Sequence, residues 1–414
     1  MLVFTFPGQG SQRSGMGRDW MDHPSWEVVT QASSVLGVDV AHLLLECPMD
    51  ELTMTNNAQL ATFVQSLIVF DAVTKLGVVP AVCAGHSLGE YTALVASGTV
   101  SFEDGLRLVS VRGEAMAKAG TKTPGTMAVL LGITDANAEA LCRKLGDGVW
   151  IANYNASGQV VISGTLEAVA EASSMAKEFG ARKIMPIPVS GAFHTPLMLG
   201  AASELESALT KAKFSKTQVE VVANVDAQVN SNPSQWPNLL SKQLSNPVRW
   251  HQSLKTIDDL GASTVIELGP GGVLSGLAKR TLPNVTTMSL EKPDDLDVLL
   301  EEISTLDALR SELHLHQGEH LYMSERVVVS PCTGVFAPEV SLAAPGTGLL
   351  PGTSPTSSGD IHSEIHVGDV VGRTGEVEVR TPFEGRLVRW LAASGERVEQ
   401  GQPLVWLRVP GAAW

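Results

Sequence analysis

The stretch Val78-Val-Pro-Ala-Val-Cys-Ala-Gly-His-Ser-Leu-Gly-Glu-Tyr-Thr-Ala-Leu-Val95 decides how this chain begins to fold. An apolar run, Val78–Ala84, is followed by the pentapeptide Gly85–Gly89 and then by the helix-like segment Glu90–Ser97. This order predicts a strand, a tight turn and a helix, an arrangement that exposes the hydroxyl of Ser87 at the carboxyl edge of a sheet. The flanking glycines are expected because the backbone passes too close there for a Cβ atom. A G-x-S-x-G match is weak by itself, and a structural turn serine is the alternative interpretation.

The same alternation of apolar runs and amphipathic stretches continues from residue 1 to about residue 290. Val219–Val225 and Thr264–Leu268 repeat the pattern of a strand followed by a turn. Alternation of this kind indicates an α/β domain with a largely parallel sheet. The expected core comprises residues 1–124 and 189–292.

Residues 125–188 have a pattern of their own. The predicted order is a strand, a helix, two strands, a helix and a strand, at Met127–Leu131, Asp135–Leu145, Val149–Asn153, Gln159–Ser163, Leu166–Phe179 and Arg182–Ile187. This β-α-β-β-α-β order is the ferredoxin-like arrangement. We expect a small subdomain inserted into the larger one, with a cleft at the junction.

The composition changes beyond residue 292. Residues 293–325 read as an acidic, helical connector, and 342–358 is a loop rich in Pro, Gly, Ser and Thr that need not be ordered. Within 326–414, Ser330-Pro-Cys-Thr-Gly334 is echoed by Thr381-Pro-Phe-Glu-Gly385, and Val367-Gly-Asp-Val-Val371 by Ser394-Gly-Glu-Arg-Val398. Two similar valine-rich halves predict a small, pseudo-symmetric all-β domain.

Bulk composition narrows the classes of function. Hydrophobic residues make up 44% of the 414 residues and charged residues 18%, as in ordinary globular proteins. A net charge of −15 argues against a nucleic-acid-binding face. No apolar run approaches the roughly 20 residues that a membrane-spanning helix needs, and the N-terminus lacks the features of a signal peptide. The expected location is therefore the cytoplasm. The four scattered cysteines fit reduced thiols better than disulfides or a zinc site.

A serine hydroxyl needs a base before it can act as a nucleophile at neutral pH. His194 lies in Ser190-Gly-Ala-Phe-His-Thr-Pro196, a small-residue turn after a predicted strand, and it follows the serine in the chain as the base does in α/β hydrolases. His86, beside the nucleophile, is the rival, although neighbouring residues on such a turn point in different directions. His251 reads as a surface or helix histidine.

Nucleophilic attack on an acyl group creates an oxyanion, which requires preorganised N–H donors. The amide of Leu88, at the start of the predicted helix, is one natural donor. The glycine-rich loop Pro7-Gly-Gln-Gly-Ser-Gln12, directly after the first strand, is placed to supply a second. As a phosphate-binding loop it lacks the necessary lysine.

Several motifs recur in an order that resembles a known family, the malonyl-CoA:acyl-carrier-protein transacylases and the acyltransferase domains of polyketide synthases. The resemblance spans about residues 1–290 and rests on Pro7-Gly-Gln-Gly-Ser-Gln, Gly85-His-Ser-Leu-Gly-Glu-Tyr, Arg112 in Val-Arg-Gly-Glu-Ala-Met, Asn153-Tyr-Asn-Ala-Ser-Gly-Gln, Gly191-Ala-Phe-His, Asn246-Pro-Val-Arg-Trp and Glu267-Leu-Gly-Pro-Gly-Gly.

The resemblance implies catalytic roles for particular residues. Ser87 would be the acylated nucleophile and His194 its base. The backbone amides of Gln9 and Leu88 would form the oxyanion hole. The backbone carbonyl of Arg249 would orient the His194 ring in place of a carboxylate.

It also implies a basis for substrate selection. Arg112 would pair with the free carboxylate of a malonyl group, since a guanidinium matches a carboxylate in a bidentate way. Acetyl groups should then be poor substrates because they leave the arginine unpaired. The alternative for Arg112 is a surface helix arginine. In Gly191-Ala-Phe-His194, Phe193 resembles the residue that crowds an α-methyl branch in malonyl-selective domains.

The implied fold is an α/β-hydrolase-like domain with a parallel sheet and a ferredoxin-like insert. The implied function is transfer of malonyl from malonyl-CoA to the phosphopantetheine thiol of an acyl carrier protein, with no metal or redox cofactor. A serine thioesterase is the rival enzyme, because it shares the serine and the base. A catalytically idle scaffold is the rival from another class. Neither a nucleic acid nor a membrane is expected as a partner.

The C-terminal repeat resembles the biotinyl/lipoyl barrel-sandwich domain, which carries its cofactor on a lysine at the hairpin between the halves. Here that region reads Gly372-Arg-Thr-Gly-Glu-Val-Glu-Val-Arg380, and no lysine follows Lys292. A biotinyl or lipoyl amide therefore cannot form, and we expect a docking module for a partner protein. His314, His316, His320 and Glu319 could be read as metal ligands, but a solvated helix face is the preferred interpretation.

Overall fold

The computed structural model describes residues 1–189, 191–302, 323–339, 364–383 and 385–410. The chain divides into two compact units, Met1–Glu302 and Ile303–Trp414. Each unit is described by itself.

The first unit is built on a five-stranded sheet in which every neighbouring pair is parallel. Its strands are β1 (Leu2–Phe6), β2 (Val82–Gly85), β7 (Glu220–Val222), β8 (Thr264–Leu268) and β9 (Thr286–Leu290), in the order β7-β2-β1-β8-β9. The three central strands, β2, β1 and β8, are mostly apolar and, apart from Leu2, buried, as expected for a sheet covered by helices on both faces. The predicted α/β core with a parallel sheet is confirmed.

The described residues of this unit form twelve α-helices, which pack around this sheet and the smaller one described next. They are α1 (Glu27–Leu36), α2 (Val40–Leu45), α3 (Met49–Leu52), α4 (Thr55–Lys75), α5 (Gly89–Ala96), α6 (Phe102–Lys122), α7 (Asp135–Leu145), α8 (Leu166–Met175), α9 (Leu199–Leu209), α10 (Trp236–Gln243), α11 (Trp250–Asp259) and α12 (Val273–Thr281). Three of them begin at a hydroxyl N-cap: Ser101 before α6, Thr134 before α7 and Thr165 before α8.

Residues 125–187 form a subdomain within the first unit. Strands β3 (Gly125–Leu131), β4 (Val149–Ala156), β5 (Gln159–Thr165) and β6 (Lys183–Ile187) pair antiparallel in the order β4-β5-β3-β6, with α7 and α8 between them. This has the predicted β-α-β-β-α-β order. Strand β4 also bonds the core segment before α11: Val248 N donates to Ala152 O at 2.8 Å, and Tyr154 N donates to Val248 O at 2.9 Å. The backbone thus ties the subdomain to the core beside the candidate site.

In the second unit, the described residues form antiparallel sheets. One has the order β10-β17-β15-β12 and the other β14-β13-β11-β16. The strands are β10 (Met323–Val329), β11 (Gly334–Pro338), β12 (Glu364–Ile365), β13 (Val370–Thr374), β14 (Val377–Arg380), β15 (Gly385–Trp390), β16 (Arg397–Val398) and β17 (Pro403–Pro410). Phe336, Val371 and Leu407 are among its buried core residues.

The sequence repeat corresponds to a structural repeat. Ser330 Oγ donates to Cys332 O at 2.7 Å, and its counterpart Thr381 Oγ1 donates to Phe383 O at 2.9 Å. The glycines of the two Gly-acid turns, Gly368 and Gly395, both have positive φ angles, +91° and +85°. The two halves therefore use the same turn chemistry at matching positions.

Some expectations lie outside the described residues. These are most of the 293–325 connector, the 342–358 loop and the segment with His314, His316, Glu319 and His320. Among the residues that the structure does describe, no helix combines the length and apolar character required to cross a bilayer.

Candidate active site

Ser87 stands on a strained turn between β2 and α5. Its φ angle is +53°, in the left-handed region that non-glycine residues rarely adopt. A Cβ atom on Gly85 would collide with the backbone of Gly89, and one on Gly89 would collide with the carbonyl of Phe6. The two glycines therefore allow the tight strand-to-helix turn that presents the hydroxyl.

Asn224 holds this turn from the neighbouring strand. It lies two residues beyond the end of β7, next to β2 in the sheet. Its Oδ1 accepts from Ser87 N at 2.7 Å, and its Nδ2 donates to Gly85 O at 2.7 Å. One buried side chain thus bonds the backbone on both sides of His86, which offsets part of the cost of the strained Ser87. Sequence reasoning missed Asn224, although a polar residue at the carboxyl end of an apolar strand was the available signal.

His194 is the base candidate that the structure brings to the serine. Its Nε2 lies 2.7 Å from Ser87 Oγ. The residue has a φ of +59° and is followed by Thr195, whose Oγ1 donates to Ala192 O at 2.6 Å and caps the next turn. The ring of His86 instead bonds Asn155, with Nε2 2.9 Å from Oδ1. His251 lies on helix α11.

The predicted partner of the His194 ring was wrong. The structure places Nδ1 2.8 Å from the backbone carbonyl of Gln243, not from that of Arg249. Gln243 is the last residue of α10, so its carbonyl has no partner within the helix and is available to the ring. The carbonyl of Arg249 accepts from Ser253 N and Oγ at 2.8 and 3.0 Å, in the first turn of α11.

His194 is held in its neutral form. Burial and, next, the positive charge of Arg112 lower the pKa of His194 to about 3, against a weaker opposing effect of its backbone hydrogen bond to Gln243. A neutral ring that donates from Nδ1 to a carbonyl leaves Nε2 as an acceptor. That nitrogen therefore faces the Ser87 hydroxyl ready to accept its proton.

Arg112 lies in the same cluster and is not a surface residue. It belongs to α6, its side chain is 1% exposed, and its guanidinium carbon lies 5.3 Å from the centre of the Tyr91 ring. Nη1 donates to Gln59 Oε1 at 2.7 Å, and Nη2 donates to Gln243 Oε1 at 2.9 Å and to Ser87 Oγ at 3.0 Å. A buried positive charge thus lies within hydrogen-bond distance of the serine hydroxyl.

The two amides that bond Arg112 are neutral, and among the described residues no carboxylate bonds the guanidinium directly. The nearest acid in the network is Glu90 on α5, which bonds Gln243 Nε2 rather than the arginine. Burial lowers the pKa of Arg112, and the neighbouring Tyr91 and Glu90 act in the opposite direction. A site of this kind suits a ligand that brings its own carboxylate.

The two segments expected to bind an oxyanion pass close to each other at His86, the residue before the serine. Leu88 is fully buried and immediately precedes α5, so its amide lies at a helix N-terminus. The loop that carries Gln9 follows β1, and His86 N donates to Phe6 O at 3.0 Å. A Cβ atom on Gly8 would lie 2.6 Å from His86 O, which shows how closely this loop passes the turn.

In the part of the chain that the structure describes, no cluster of three or more His, Cys, Asp or Glu side chains could hold a metal ion. Cys47, Cys83 and Cys142 are buried, Cys332 is half-buried, and all four are free thiols.

Comparison with known proteins identifies the family. The acyl transferase domain model matches residues 3–296. The chain is 38% identical over 307 residues to the malonyl CoA-acyl carrier protein transacylase of Bacillus subtilis, covering 73% of this chain and 97% of that protein. It is 39% identical over 305 residues to the Escherichia coli K12 enzyme of the same name, covering 72% and 99%.

Comparison with solved structures points to the same family. The transacylase of Clostridium perfringens superposes with a TM-score of 0.72 at 35% identity, covering 75% of this chain and 99% of that one. A malonyl-transacylase in complex with its type II polyketide synthase acyl-carrier protein superposes with a TM-score of 0.70 at 35% identity, covering 73% and 99%. This chain, which brings a strained serine, a neutral histidine and a buried arginine into one cluster, therefore belongs to the malonyl CoA-acyl carrier protein transacylase family.

Proposed function

We propose that this protein transfers a malonyl group from malonyl-CoA to the phosphopantetheine thiol of an acyl carrier protein, through an ester of Ser87. One observation carries the proposal: Ser87 Oγ lies 2.7 Å from His194 Nε2 and 3.0 Å from Arg112 Nη2. The first contact suits proton transfer, and the second places a buried positive charge beside the acylated atom.

In the first half-reaction, His194 Nε2 takes the proton of Ser87 as the oxygen attacks the thioester carbonyl. The amides of Leu88 and Gln9 stabilise the oxyanion. When the intermediate collapses, the C–S bond breaks and the CoA sulfur leaves with the proton from His194. The carbonyl of Gln243 keeps the ring in one tautomer throughout.

The second half-reaction reverses these steps with another thiol. His194 accepts the proton of the phosphopantetheine thiol, and the sulfur attacks the seryl ester. The C–O bond breaks, and Ser87 recovers a proton from His194. This chemistry needs no metal or redox cofactor, because side chains supply the nucleophile and the base, and backbone amides supply the oxyanion donors.

Arg112 selects the acyl group in this proposal. The malonyl carboxylate would form a bidentate pair with the guanidinium, which has only amide and hydroxyl partners in the structure. Phe193, which is 4% exposed in the turn before His194, is proposed to exclude an α-methyl branch. Phe193→Ala is expected to raise the relative rate with methylmalonyl-CoA; an unchanged ratio of the two rates would contradict this role.

The relatives support the substrate assignment, since their names specify malonyl-CoA and an acyl carrier protein, and one solved complex contains that partner. A serine thioesterase would share Ser87 and His194 but has no use for a buried arginine. An idle scaffold would not need the hydrogen-bonded serine–histidine pair. The α/β-hydrolase-like description of the core and a cytoplasmic location remain part of this proposal.

Intact-mass measurement of the acylated protein tests the nucleophile. Wild type incubated with malonyl-CoA is expected to gain one malonyl mass, and Ser87→Ala is expected to gain none. An adduct retained by Ser87→Ala would refute the assignment. A second measurement follows the radiolabel of the wild-type adduct. A transacylase passes the label to a purified carrier protein faster than it loses the label to water, whereas a thioesterase loses it to water faster.

For the second unit, we propose a biotinyl/lipoyl-like barrel that serves as a docking module. The antiparallel sheets and the repeated turns support this. The hairpin between β13 and β14 has Gly375 and Glu376 at its tip, where that family carries a modified lysine. Deleting 323–414 is expected to preserve transacylation while losing a partner in a pull-down. Loss of activity in a folded truncation would contradict this division.

A further inference from the structure

Glu90 is a buried carboxyl group that the proposed acyl transfer does not use. It is the second residue of α5, three positions after Ser87, and is 1% exposed. Each of its oxygens accepts a hydrogen bond: Oε1 from the backbone N of Asn224 at 2.8 Å, and Oε2 from Gln243 Nε2. Burial raises the pKa of Glu90 to about 8, and these two donors and the charge of Arg112 only partly oppose that rise. The two N–H donors fix where each oxygen of this buried group lies.

Gln243 connects this carboxyl group to the acylation site. Its Nε2 donates both to Glu90 Oε2 and to Ser87 O, the latter at 2.8 Å. Its Oε1 accepts from Arg112 Nη2 at 2.9 Å. A reversed amide would set its oxygen against two acceptors and its NH2 group against a guanidinium. The orientation of this amide is therefore fixed by what surrounds it, and Glu90 Oε2 is the side-chain acceptor of its NH2 group.

We propose that Glu90 is a positioning residue for malonyl selectivity. It fixes the amide of Gln243 so that Oε1 faces Arg112, and this acceptor holds the guanidinium in place beside Ser87. The inference rests on the proposed function, and it assigns to Glu90 no contact with the substrate.

Glu90→Gln tests the idea because it keeps the size of the side chain but replaces one acceptor by a donor. The backbone N–H of Asn224 cannot turn away, since that residue is anchored to Ser87 N and Gly85 O. The oxygen of the new amide therefore goes to Asn224, and its NH2 group faces the NH2 group of Gln243. The side chain of Gln243 must then turn, and Arg112 Nη2 loses its amide acceptor, while Nη1 keeps its bond to Gln59.

The experiment measures the rates of acyl-enzyme formation from malonyl-CoA and from acetyl-CoA. Each rate is divided by the concentration of protein that can be acylated. Loss of a hydrogen bond to a charged group predicts that Glu90→Gln lowers the malonyl-to-acetyl rate ratio roughly 10- to 100-fold. Glu90→Asp keeps both acceptor oxygens and is expected to retain the ratio within about threefold. Glu267→Gln is the matched control, because Glu267 is also fully buried but caps α12 by accepting from Ser275 N at 2.7 Å. The malonyl-to-acetyl ratio of Glu267→Gln should stay within about twofold of the wild-type ratio.

A double-mutant cycle tests the route through Gln243. If Glu90 acts through that side chain, the malonyl-to-acetyl ratio of the double variant Glu90→Gln/Gln243→Met should lie within about twofold of the ratio of Gln243→Met alone. If the two substitutions instead lower the ratio independently, so that their factors multiply, Glu90 does not act through Gln243. An unchanged ratio in folded Glu90→Gln, or a ratio lost equally in Glu90→Asp, would overturn the inference. Wild type that forms no malonyl-enzyme would instead refute the proposed function itself.

Discussion

Replacement of Arg112 by alanine is the sharpest test of how the site chooses its acyl group. The guanidinium is 1% exposed and makes three hydrogen bonds, to Gln59 Oε1, Gln243 Oε1 and Ser87 Oγ. Alanine suits the interior of α6 and leaves the serine and histidine in place. The change therefore removes the proposed carboxylate partner without removing the nucleophile or the base.

The expected effect differs between the two donors. A malonyl carboxylate that enters this buried site without its cation loses about 3–5 kcal/mol, which at 1.4 kcal/mol per tenfold is roughly two to three and a half orders of magnitude in kcat/KM. Acetyl-CoA brings no carboxylate, so its kcat/KM should change by less than about tenfold, through the hydrogen bond from Arg112 to Ser87 alone. The ratio of the two constants should therefore collapse.

The assay measures kcat/KM for acyl-enzyme formation with malonyl-CoA and with acetyl-CoA, in wild type, Arg112→Ala and Arg112→Lys. The lysine variant is the matched control, since it keeps a charge but lacks the planar fork, and its ratio should fall between the other two. Thermal unfolding is measured alongside, because Gln59 and Gln243 each lose a donor. Equal losses with the two donors in folded Arg112→Ala would refute the carboxylate clamp.

Two further predictions follow from the surroundings of Ser87. Because the pKa of His194 is lowered to about 3, its ring stays neutral as pH falls toward 5. The rate of acylation, measured by rapid quench, should therefore show no inflection near pH 6.5. An inflection there would contradict a neutral, buried base. Asn224→Ala removes the two bonds to Ser87 N and Gly85 O and should lower the free energy of unfolding by about 2–4 kcal/mol and slow acylation. Asn230→Ala, which loses only an exposed bond to Gln228 O, is its control and should do neither; equal effects in the two variants would argue against a special role for Asn224.

Local patterns predicted much of the fold because they reflect local physics. The helix at Asp135–Leu145 and the strand at Thr264–Leu268 have the predicted bounds, since a capping threonine and an apolar run bounded by turn residues mark their ends. The strand before Ser87 begins later than predicted, at Val82. Pro80 precedes it, and proline cannot donate to a ladder of backbone hydrogen bonds.

The partners of the site residues could not be predicted in the same way. The prediction that Arg249 orients His194 was wrong because the Gln243 carbonyl, 49 residues from the histidine, is the one left free by a helix end. Asn224, Gln59 and Gln243 reach the site from separate strands and helices, 137, 53 and 131 residues from the groups that they bond. No spacing rule applies over such distances.

By itself, the sequence determined the strand–turn–helix that exposes Ser87, the β-α-β-β-α-β insert and the absence of any lysine after Lys292. Each of these depends on neighbouring residues, whose steric and hydrogen-bonding preferences act within a few positions. Only the tertiary structure decided that a neutral imidazole and a buried guanidinium converge on one hydroxyl, with Gln243 bonded to both of them. Burial and hydrogen-bond geometry set these contacts, and both arise only when distant segments pack together.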